Sequence, residues 1–290
     1  MHHTLTTTGR MVSFAKMHGT GNDFIVLDNR AHEFSRTDLA ACAGAWCPRR
    51  YGVGADGLLA LDHPRTPEAD YRMHYVNADG SRATMCGNGA RCLFRFARRS
   101  GFDQETLAFD TDAGLYRATV PSRDSDLVRL FVPEVTDLRE HVQLEGAVPE
   151  AIRQLHYVHA GTEHLVAVVK DVDAVPVRKW GHHLRHDSRL APAGANVNFM
   201  TLDEGSSVRL RTYEKGVEDE TPSCGTGVLA AASVAQQTGQ TRAADGLRVQ
   251  TNGGTLHVGR ASVAGSESLY LEGPAVFVFD GQIPFPDGTQ

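Results

Sequence analysis

The sequence predicts a strand-rich α/β protein that is built from two similar halves. Short runs of β-branched and aromatic residues, bounded by Gly, Asp, Asn or Pro, recur along the chain and indicate strands. Two related motifs, CGNG at residues 86–89 and CGTG at residues 224–227, each precede a segment with the apolar pattern of a helix. Each half therefore places strands first, then a Cys-Gly-x-Gly helix, then further strands.

Eight runs carry the strand prediction. They are FIVLDN (residues 24–29), LLALD (58–62), YRMHYV (71–76), LVRLFV (127–132), HLVAVV (164–169), VRLRTYE (208–214), LYLEG (269–273) and VFVFDG (276–281). Their β-type composition and their Gly, Asp, Asn and Pro boundaries favour strands over helices. The chain is accordingly predicted to contain few helices.

The two predicted helices differ in character. The segment after CGNG has apolar residues at i, i+3, i+4 and i+7, while Arg91 and the three arginines that follow occupy the other faces. We predict an amphipathic helix that ends at a glycine cap, Gly101. The segment after CGTG has almost no polar face and is predicted to be buried, with Gly239 at its end. Both cysteines should then lie at helix N-termini.

The length of 290 residues favours two domains, each able to bury its own core. We predict an N-terminal domain over residues 11–132, to which residues 276–290 return, and a C-terminal domain over residues 133–275. The polar, proline-marked stretch at residues 133–149 is the expected crossing point, and residues 1–10 are expected to be a loose extension.

Composition excludes several classes of protein. The net charge of −6 lacks the basic surplus of a nucleic-acid-binding protein. No apolar run reaches the length of a membrane span, and the first residues lack the apolar region of a secretory signal, which predicts a cytoplasmic protein. Five cysteines are sparse and odd in number, so reduced thiols are expected.

A cysteine at a helix N-terminus has a chemical use. The positive end of the helix dipole and the unsatisfied N–H groups there favour a thiolate and can hold a carboxylate. If the two halves face each other, Cys86 and Cys224 would flank one α-carbon. One sulfur could then remove a proton while the other returns one to the opposite face. This arrangement predicts a two-base racemase or epimerase that needs no cofactor.

Other interpretations of the cysteines remain open at this point. A cysteine hydrolase could use Cys86 or Cys224 as nucleophile with His164 as base, although one motif would then lack a role. A non-enzymatic module could use the same glycine-rich segments to bind a small anion. The Cys42/Cys47 and Cys86/Cys92 spacings do not match zinc-ligand pairs, so no metal is predicted.

Several long motifs resemble the diaminopimelate epimerase family. They are FAKMHGTGNDF (residues 14–24), RRYGVGADGLL (49–59), VNADGSRATMCGNGARC (76–92), ANVNF (195–199) and RTYEKGVEDETPSCGTG (211–227). The resemblance implies two pseudo-symmetric α/β domains, each a curved, mostly antiparallel sheet around a central helix, with the active site in the cleft between them. It also implies a cofactor-independent enzyme that interconverts LL- and meso-diaminopimelate.

The resemblance assigns roles to individual residues. Cys86 and Cys224 resemble the paired acid and base. The remaining positions are similar to groups that bind substrate: Gly87, Asn88, Gly225 and Thr226 at the reacting carboxylate, Asn22 and Glu214 at the amino groups, and Asn77 and Asn196 at the distal end. The substrate would be a small amino acid, and a homodimer is one assembly that the sequence allows.

Two departures from the family pattern concern substrate selection. The chain reads GTEH where the family has GNPH, so Thr162 replaces an asparagine at the distal carboxylate, while His164 is retained. It reads YEKG where the family has YERG, so Lys215 replaces an arginine of the same clamp. GVEDET also contains one extra acidic residue. A two-cysteine racemase of another amino acid, such as lysine, arginine or histidine, is therefore the second interpretation.

Overall fold

The structure is a computed structural model that describes residues 10–122, 125–203, 207–239, 241 and 246–286. The predicted loose extension therefore lies almost wholly outside the described residues. The chain divides into two compact units, which we call unit 1 (Met1–Val128 with Ala275–Gln290) and unit 2 (Arg129–Pro274). The sequence-based boundaries, 132/133 and 275/276, lie within a few residues of this division.

The strands and helices follow one another in the same order in the two units. The first part of the chain contains β1 (Met11–Gly19), β2 (Asn22–Asp28), α1 (Arg36–Trp46), β3 (Gly57–Asp62), β4 (Tyr71–Asn77), β5 (Arg82–Ala83), α2 (Gly87–Arg99), β6 (Thr106–Thr111), β7 (Gly114–Thr119) and β8 (Leu127–Phe131). The second contains β9 (Thr136–Arg139), β10 (Ile152–His159), β11 (Glu163–Val169), α3 (Val177–Arg185), a 3₁₀ turn (Ser188–Leu190), β12 (Asn196–Asp203), β13 (Ser207–Glu214), β14 (Asp219–Thr221), α4 (Gly225–Gln237), β15 (Leu247–Thr251), β16 (Gly254–Val263) and β17 (Ser266–Pro274), before β18 (Val276–Pro284).

Strand pairing repeats between the units as well. In unit 1, β1 and β2 are antiparallel, β2 and β3 parallel, β3 and β4 antiparallel, and β4 and β6 parallel. In unit 2, β10, β11, β12, β13 and β15 pair in the same sequence of orientations. The predicted α/β class with two similar halves is thereby confirmed.

The central strands are buried on both faces. In β11, Val166 and Val168 pack in a cluster with residues of α4, whereas Leu165, Ala167 and Val169 pack on the opposite face in a cluster with residues of α3. Adjacent side chains of a strand point to opposite faces, so a strand covered by a helix on each side reads as a continuous apolar run. This explains the HLVAVV pattern of the sequence.

The two helices predicted after the cysteine motifs are present. Helix α4 is almost entirely buried, as expected from its apolar composition. The glycines expected to end the helices, Gly101 and Gly239, have positive φ values of 106° and 67°, which favour glycine just beyond a helix. The prediction for Arg91 is wrong, because its side chain is fully buried instead of lying on an outer face of α2.

Helices α1 and α3 were not predicted. Helix α1 begins with a capping box, in which the Asp38 amide donates to Ser35 Oγ (3.2 Å) and the Ser35 amide donates to Asp38 Oδ2 (2.9 Å). Helix α3 has Pro176 before its first residue and no capping side chain. Across the described residues, every helix is too short or too polar to cross a bilayer.

Candidate active site: two cysteine-capped helices

Cys86 is the N-cap residue of α2. Its backbone is extended (φ −143°, ψ 121°), its carbonyl accepts from the Ala90 amide, and its Sγ accepts from the Gly89 amide at 3.5 Å. Sγ also lies 3.6 Å from Asn22 Oδ1, to which a thiol can donate. The sulfur thus lies at the positive end of the helix, where first-turn N–H groups have no partner within the helix.

Asn22 is oriented by a cluster of charged residues behind it. Asn22 Nδ2 donates to Asp56 Oδ2 (2.7 Å), and Arg49 donates to both Asp56 and Asp23. Lys16 donates to Asp23 from the other side (2.6 Å). Although burial would raise it, hydrogen bonds from Arg49 and Lys16 hold the pKa of Asp23 at about 2. Asp56, which Arg49 holds in place, therefore orients the Asn22 amide so that its Oδ1 lies toward Cys86.

The residues after Cys86 are held from within unit 1. Asn88 Nδ2 donates to Asn22 Oδ1 at 3.3 Å, and Asn88 Oδ1 accepts from Arg91 at 2.8 Å. A Cβ on Gly89 would meet the Leu59 side chain at 3.0 Å, so the second glycine of CGNG lets α2 pack closely on β3. The backbone amides of Gly87 and Asn88 belong to the first turn, the place where an anion is bound by a helix.

Asn77 ends β4 in a tight turn. Its amide donates to the Ser81 carbonyl (2.9 Å), its Nδ2 donates to Ser81 Oγ (3.0 Å), and its own carbonyl accepts from the Gly80 amide. Positive φ at Gly80 (82°) closes the turn. The turn leads through β5 to Cys86, so the predicted binding residue lies on the segment that leads to α2.

Cys224 occupies the corresponding place in unit 2. It is the N-cap residue of α4, with an extended backbone (φ −113°, ψ 111°), and its carbonyl accepts from the Val228 amide. Its Sγ lies 3.4 Å from Thr226 Oγ1. Cys224 is 7% exposed, and Gly225 and Thr226 begin the helix as Gly87 and Asn88 do in α2.

The second glycine of CGTG is a packing requirement. A Cβ on Gly227 would meet Asn198 Oδ1 at 2.3 Å. Asn198 is fully buried; its Nδ2 donates to the Leu165 carbonyl and lies 3.0 Å from His164 Nδ1, and its Oδ1 accepts from Thr212. A buried polar network of β11, β12 and β13 thus supports the first turn of α4.

His164 belongs to this network. It is fully buried, and burial lowers its pKa to about 3, so the ring is neutral at physiological pH. Its Nε2 is buried without a hydrogen-bond partner among the described residues. That His164 contacts substrate stays a prediction.

The other predicted binding residues of unit 2 surround an ion pair. Lys215 Nζ donates to Glu163 Oε2 at 2.5 Å, and Thr162 Oγ1 donates to the same oxygen at 3.0 Å. Asn196 joins the two segments, because its Oδ1 accepts from the Lys215 amide (2.8 Å) and its Nδ2 donates to the Glu163 carbonyl (3.3 Å). Chiefly through the hydrogen bond from Lys215, the pKa of Glu163 is lowered to about 2. Glu163 is therefore an anion at neutral pH.

Glu214 ends β13 beside these groups, and its Oε2 accepts from Thr221 Oγ1 at 2.7 Å. Thr221 ends β14, from which the chain continues to Cys224. Several residues that contact the predicted site residues were not themselves predicted, among them Glu163, Asp56, Asn198 and Arg91. The two departures from the family motifs could have indicated the Glu163–Lys215 pair. GTEH introduces the acid Glu163 where GNPH has proline, and YEKG keeps a base, Lys215, where YERG has arginine.

One group of possible metal-ligating side chains lies close together in the described residues. Ligand atoms of His182, His186 and Glu218 lie within 4.8 Å of one another. The Glu218 carboxylate already accepts from Arg185 (2.7 Å), from the Gly216 amide (3.0 Å) and from Tyr213. We assign no metal to these exposed residues.

The chain shares its fold with solved structures of phenazine-biosynthesis proteins. A PhzF-family protein of Bacillus anthracis aligns with a TM-score of 0.72 at 15% identity, covering 94% of this chain and 99% of that one. The family model of diaminopimelate epimerase matches residues 14–131 and 156–278. The chain belongs to the diaminopimelate epimerase family.

Curated relatives agree with this assignment along almost the whole chain. The diaminopimelate epimerase of Chlorobaculum tepidum is 41% identical over 270 residues, which cover 92% of this chain and 99% of the relative. That of Methanocella arvoryzae is 38% identical and covers 94% of this chain and 96% of the relative. The resemblance carried by the motifs is confirmed.

Proposed function

We propose that the protein is a cofactor-independent epimerase that interconverts LL- and meso-diaminopimelate, with Cys86 and Cys224 as its two acid–base groups. The observation that carries the proposal is that both cysteines are N-cap residues of equivalent helices in the two repeats. Membership of the family supports the substrate, since its relatives are named for diaminopimelate.

Each helix N-terminus supplies the electrostatics that the reaction needs. Removal of an α-proton places negative charge on the carboxylate, and amide donors directed at that charge stabilise the transition state. Gly87 and Asn88 on α2, and Gly225 and Thr226 on α4, provide such donors. One thiolate takes the α-proton and becomes a thiol, while the other thiol gives its proton to the opposite face and becomes a thiolate.

The remaining predicted residues would orient the substrate. Asn22 and Glu214 are placed beside the cysteine-bearing segments and suit the reacting amino group. Asn77, Asn196, Thr162, His164 and Lys215 would contact the distal end, since they lie in or replace residues of the motifs that resemble the family. Because the thiols supply both bases and the amides stabilise the charge, we propose that pyridoxal phosphate is not required, and that the enzyme serves lysine biosynthesis in the cytoplasm.

The test follows α-deuterium incorporation in D₂O by NMR, with LL-diaminopimelate, lysine, arginine and histidine as substrates. We expect exchange and epimerisation with diaminopimelate. Cys86→Ala and Cys224→Ala should each lower the rate about 10³-fold or more, the scale of general acid–base catalysis. Cys42→Ala is the matched control, because burial in α1 raises the pKa of that thiol to about 12.

Either of two results would reject the proposal. Wild-type activity in one of the two cysteine variants would exclude the two-base mechanism. Exchange confined to lysine, arginine or histidine would show that the substrate assignment is wrong while leaving the mechanism intact.

A further inference from the structure

Arg91 is a fully buried cation in the first turns of α2. Its guanidinium donates to Asn88 Oδ1 (2.8 Å), Thr20 Oγ1 (3.3 Å) and the Gly87 carbonyl (3.4 Å). All three acceptors are neutral, and Arg91 makes no ion pair with a carboxylate of the described residues. A buried charge without a counter-ion is costly to folding, so a negative group is expected nearby.

The position of Arg91 along the helix increases this cost. Cations are stabilised near the C-terminus of a helix and are unfavourable near its positive N-terminus. An anion seated at the N-terminus would compensate both the dipole and the guanidinium.

Four other charged side chains near Asn22 form ion pairs with one another. They are Lys16, Arg49, Asp23 and Asp56, from β1, β2 and the segment before β3. His18 of β1 and Cys47, whose pKa burial raises to about 12, are further titratable groups of these elements. The guanidinium of Arg91 belongs to none of these ion pairs.

Two thiols act electrostatically on Arg91. Burial lowers the pKa of Arg91, and the charges of Cys92 and Cys86 act in the opposite direction. Burial raises the pKa of Cys92 to about 12, so that residue stays a neutral thiol. Of these two thiols, Cys86 is the one that can supply an anion.

Unit 2 offers a comparison within the same chain. The fifth residue after Cys224 is Leu229, where the fifth after Cys86 is Arg91, and α4 contains no charged side chain. The two cysteines therefore share a helix position but differ in the charge buried behind it.

We propose that Arg91 is a positioning residue that holds Cys86 as the thiolate before substrate binds, while Cys224 rests as the thiol. Cys86 would then be the base for the first proton abstraction, becoming a thiol, as Cys224 delivers its proton and becomes a thiolate. The assignment of these steps rests on the proposed epimerase function. The resting charge state does not, and it can be measured without substrate.

The first experiment compares the two thiols. In Cys224→Ala and Cys86→Ala proteins, the alkylation rate of the remaining site cysteine by iodoacetamide is measured from pH 5 to 10 by peptide mass spectrometry. We expect the midpoint for Cys86 to lie at least one pH unit below that for Cys224, about a tenfold difference in ionisation. Equal midpoints, or a lower one for Cys224, would overturn the proposal whether or not the enzyme acts on diaminopimelate.

The second experiment changes Arg91 in the Cys224→Ala background. Arg91→Gln should raise the Cys86 midpoint by at least one pH unit, whereas Arg91→Lys, which keeps the charge, should restore most of the difference. Thermal melts followed by circular dichroism verify that the variants fold. If Arg91→Gln does not fold, the comparison of Cys86 with Cys224 in the first experiment tests the proposal by itself. If Arg91→Gln in otherwise wild-type enzyme raised KM but left the Cys86 titration unchanged, Arg91 would serve the substrate carboxylate and the proposal would be wrong.

Discussion

Replacing Glu163 by glutamine should tighten the binding of diaminopimelate. In the structure, Glu163 holds Lys215 at 2.5 Å, and the two side chains are 27% and 24% exposed. A substrate carboxylate that binds Lys215 must compete with this internal carboxylate. Glu163→Gln removes the competing charge and keeps the shape of the side chain.

The size of the effect follows from the exposure of the pair. Partly exposed ion pairs contribute up to about 1 kcal/mol, which corresponds to about a fivefold change in affinity. We therefore expect KM for diaminopimelate to fall about fivefold while kcat changes little, because Lys215 is proposed to bind the distal end of the substrate. The low pKa of Glu163 keeps the competing charge present throughout the range of a neutral assay.

Steady-state kinetics of LL-to-meso conversion would measure this change. Glu163→Asp is the matched control, since it retains the charge and should keep KM close to that of the wild type. An unchanged or higher KM in a folded Glu163→Gln enzyme would refute the competition between Glu163 and the substrate for Lys215.

Two further predictions concern the support of α4. Gly227→Ala should destabilise the protein by about 1–3 kcal/mol, the usual cost of overpacking, because its Cβ would lie 2.3 Å from Asn198 Oδ1. Urea denaturation measures this loss of stability. The control is Gly44→Ala at an exposed position with open space for a Cβ, which should show no such loss. Folded His164 stays neutral down to pH about 3, whereas an unfolded histidine takes up its proton near pH 6.5. Between these values the unfolded state binds more protons, so stability should fall with falling pH by up to about 1.4 kcal/mol per unit. His164→Gln should show a shallower dependence in urea titrations, and equal slopes would contradict this reasoning.

The cysteine motifs made the central helices predictable from sequence. Each motif combines an N-cap cysteine, glycines and an apolar segment that ends near a glycine. All of these local signals favour the same helix. Helix α1 had an equally local signal in the Ser35–Asp38 capping box. It was not predicted because the recurrent strand patterns favoured a chain with few helices. Helix α3 lacks a capping side chain, and its packing against the sheet determines it more than local sequence does.

Charge placement was the least predictable feature. Periodicity assigns arginine to an outer face, but Arg91 is buried and donates hydrogen bonds to three neutral acceptors. The ion pair of Glu163 with Lys215 joins residues 52 positions apart in sequence, and the paired departures from GNPH and YERG were the only sequence signal for it. The motifs were therefore enough to predict binding residues. The charged neighbours of these residues, such as Glu163 and Arg91, were identified only from the structure.

The return of β18 to pair with β1 has a consequence for biosynthesis. Pro284 lies opposite Met11 in this pairing, so β1 gains β18 as its second partner only after the whole of unit 2 has been synthesised. Unit 2 is continuous in sequence and can acquire its contacts earlier. Contacts between such distant segments also form slowly. A nascent chain would thus complete unit 2 before unit 1. Loss of β18 would leave an open strand edge on unit 1, which carries Cys86.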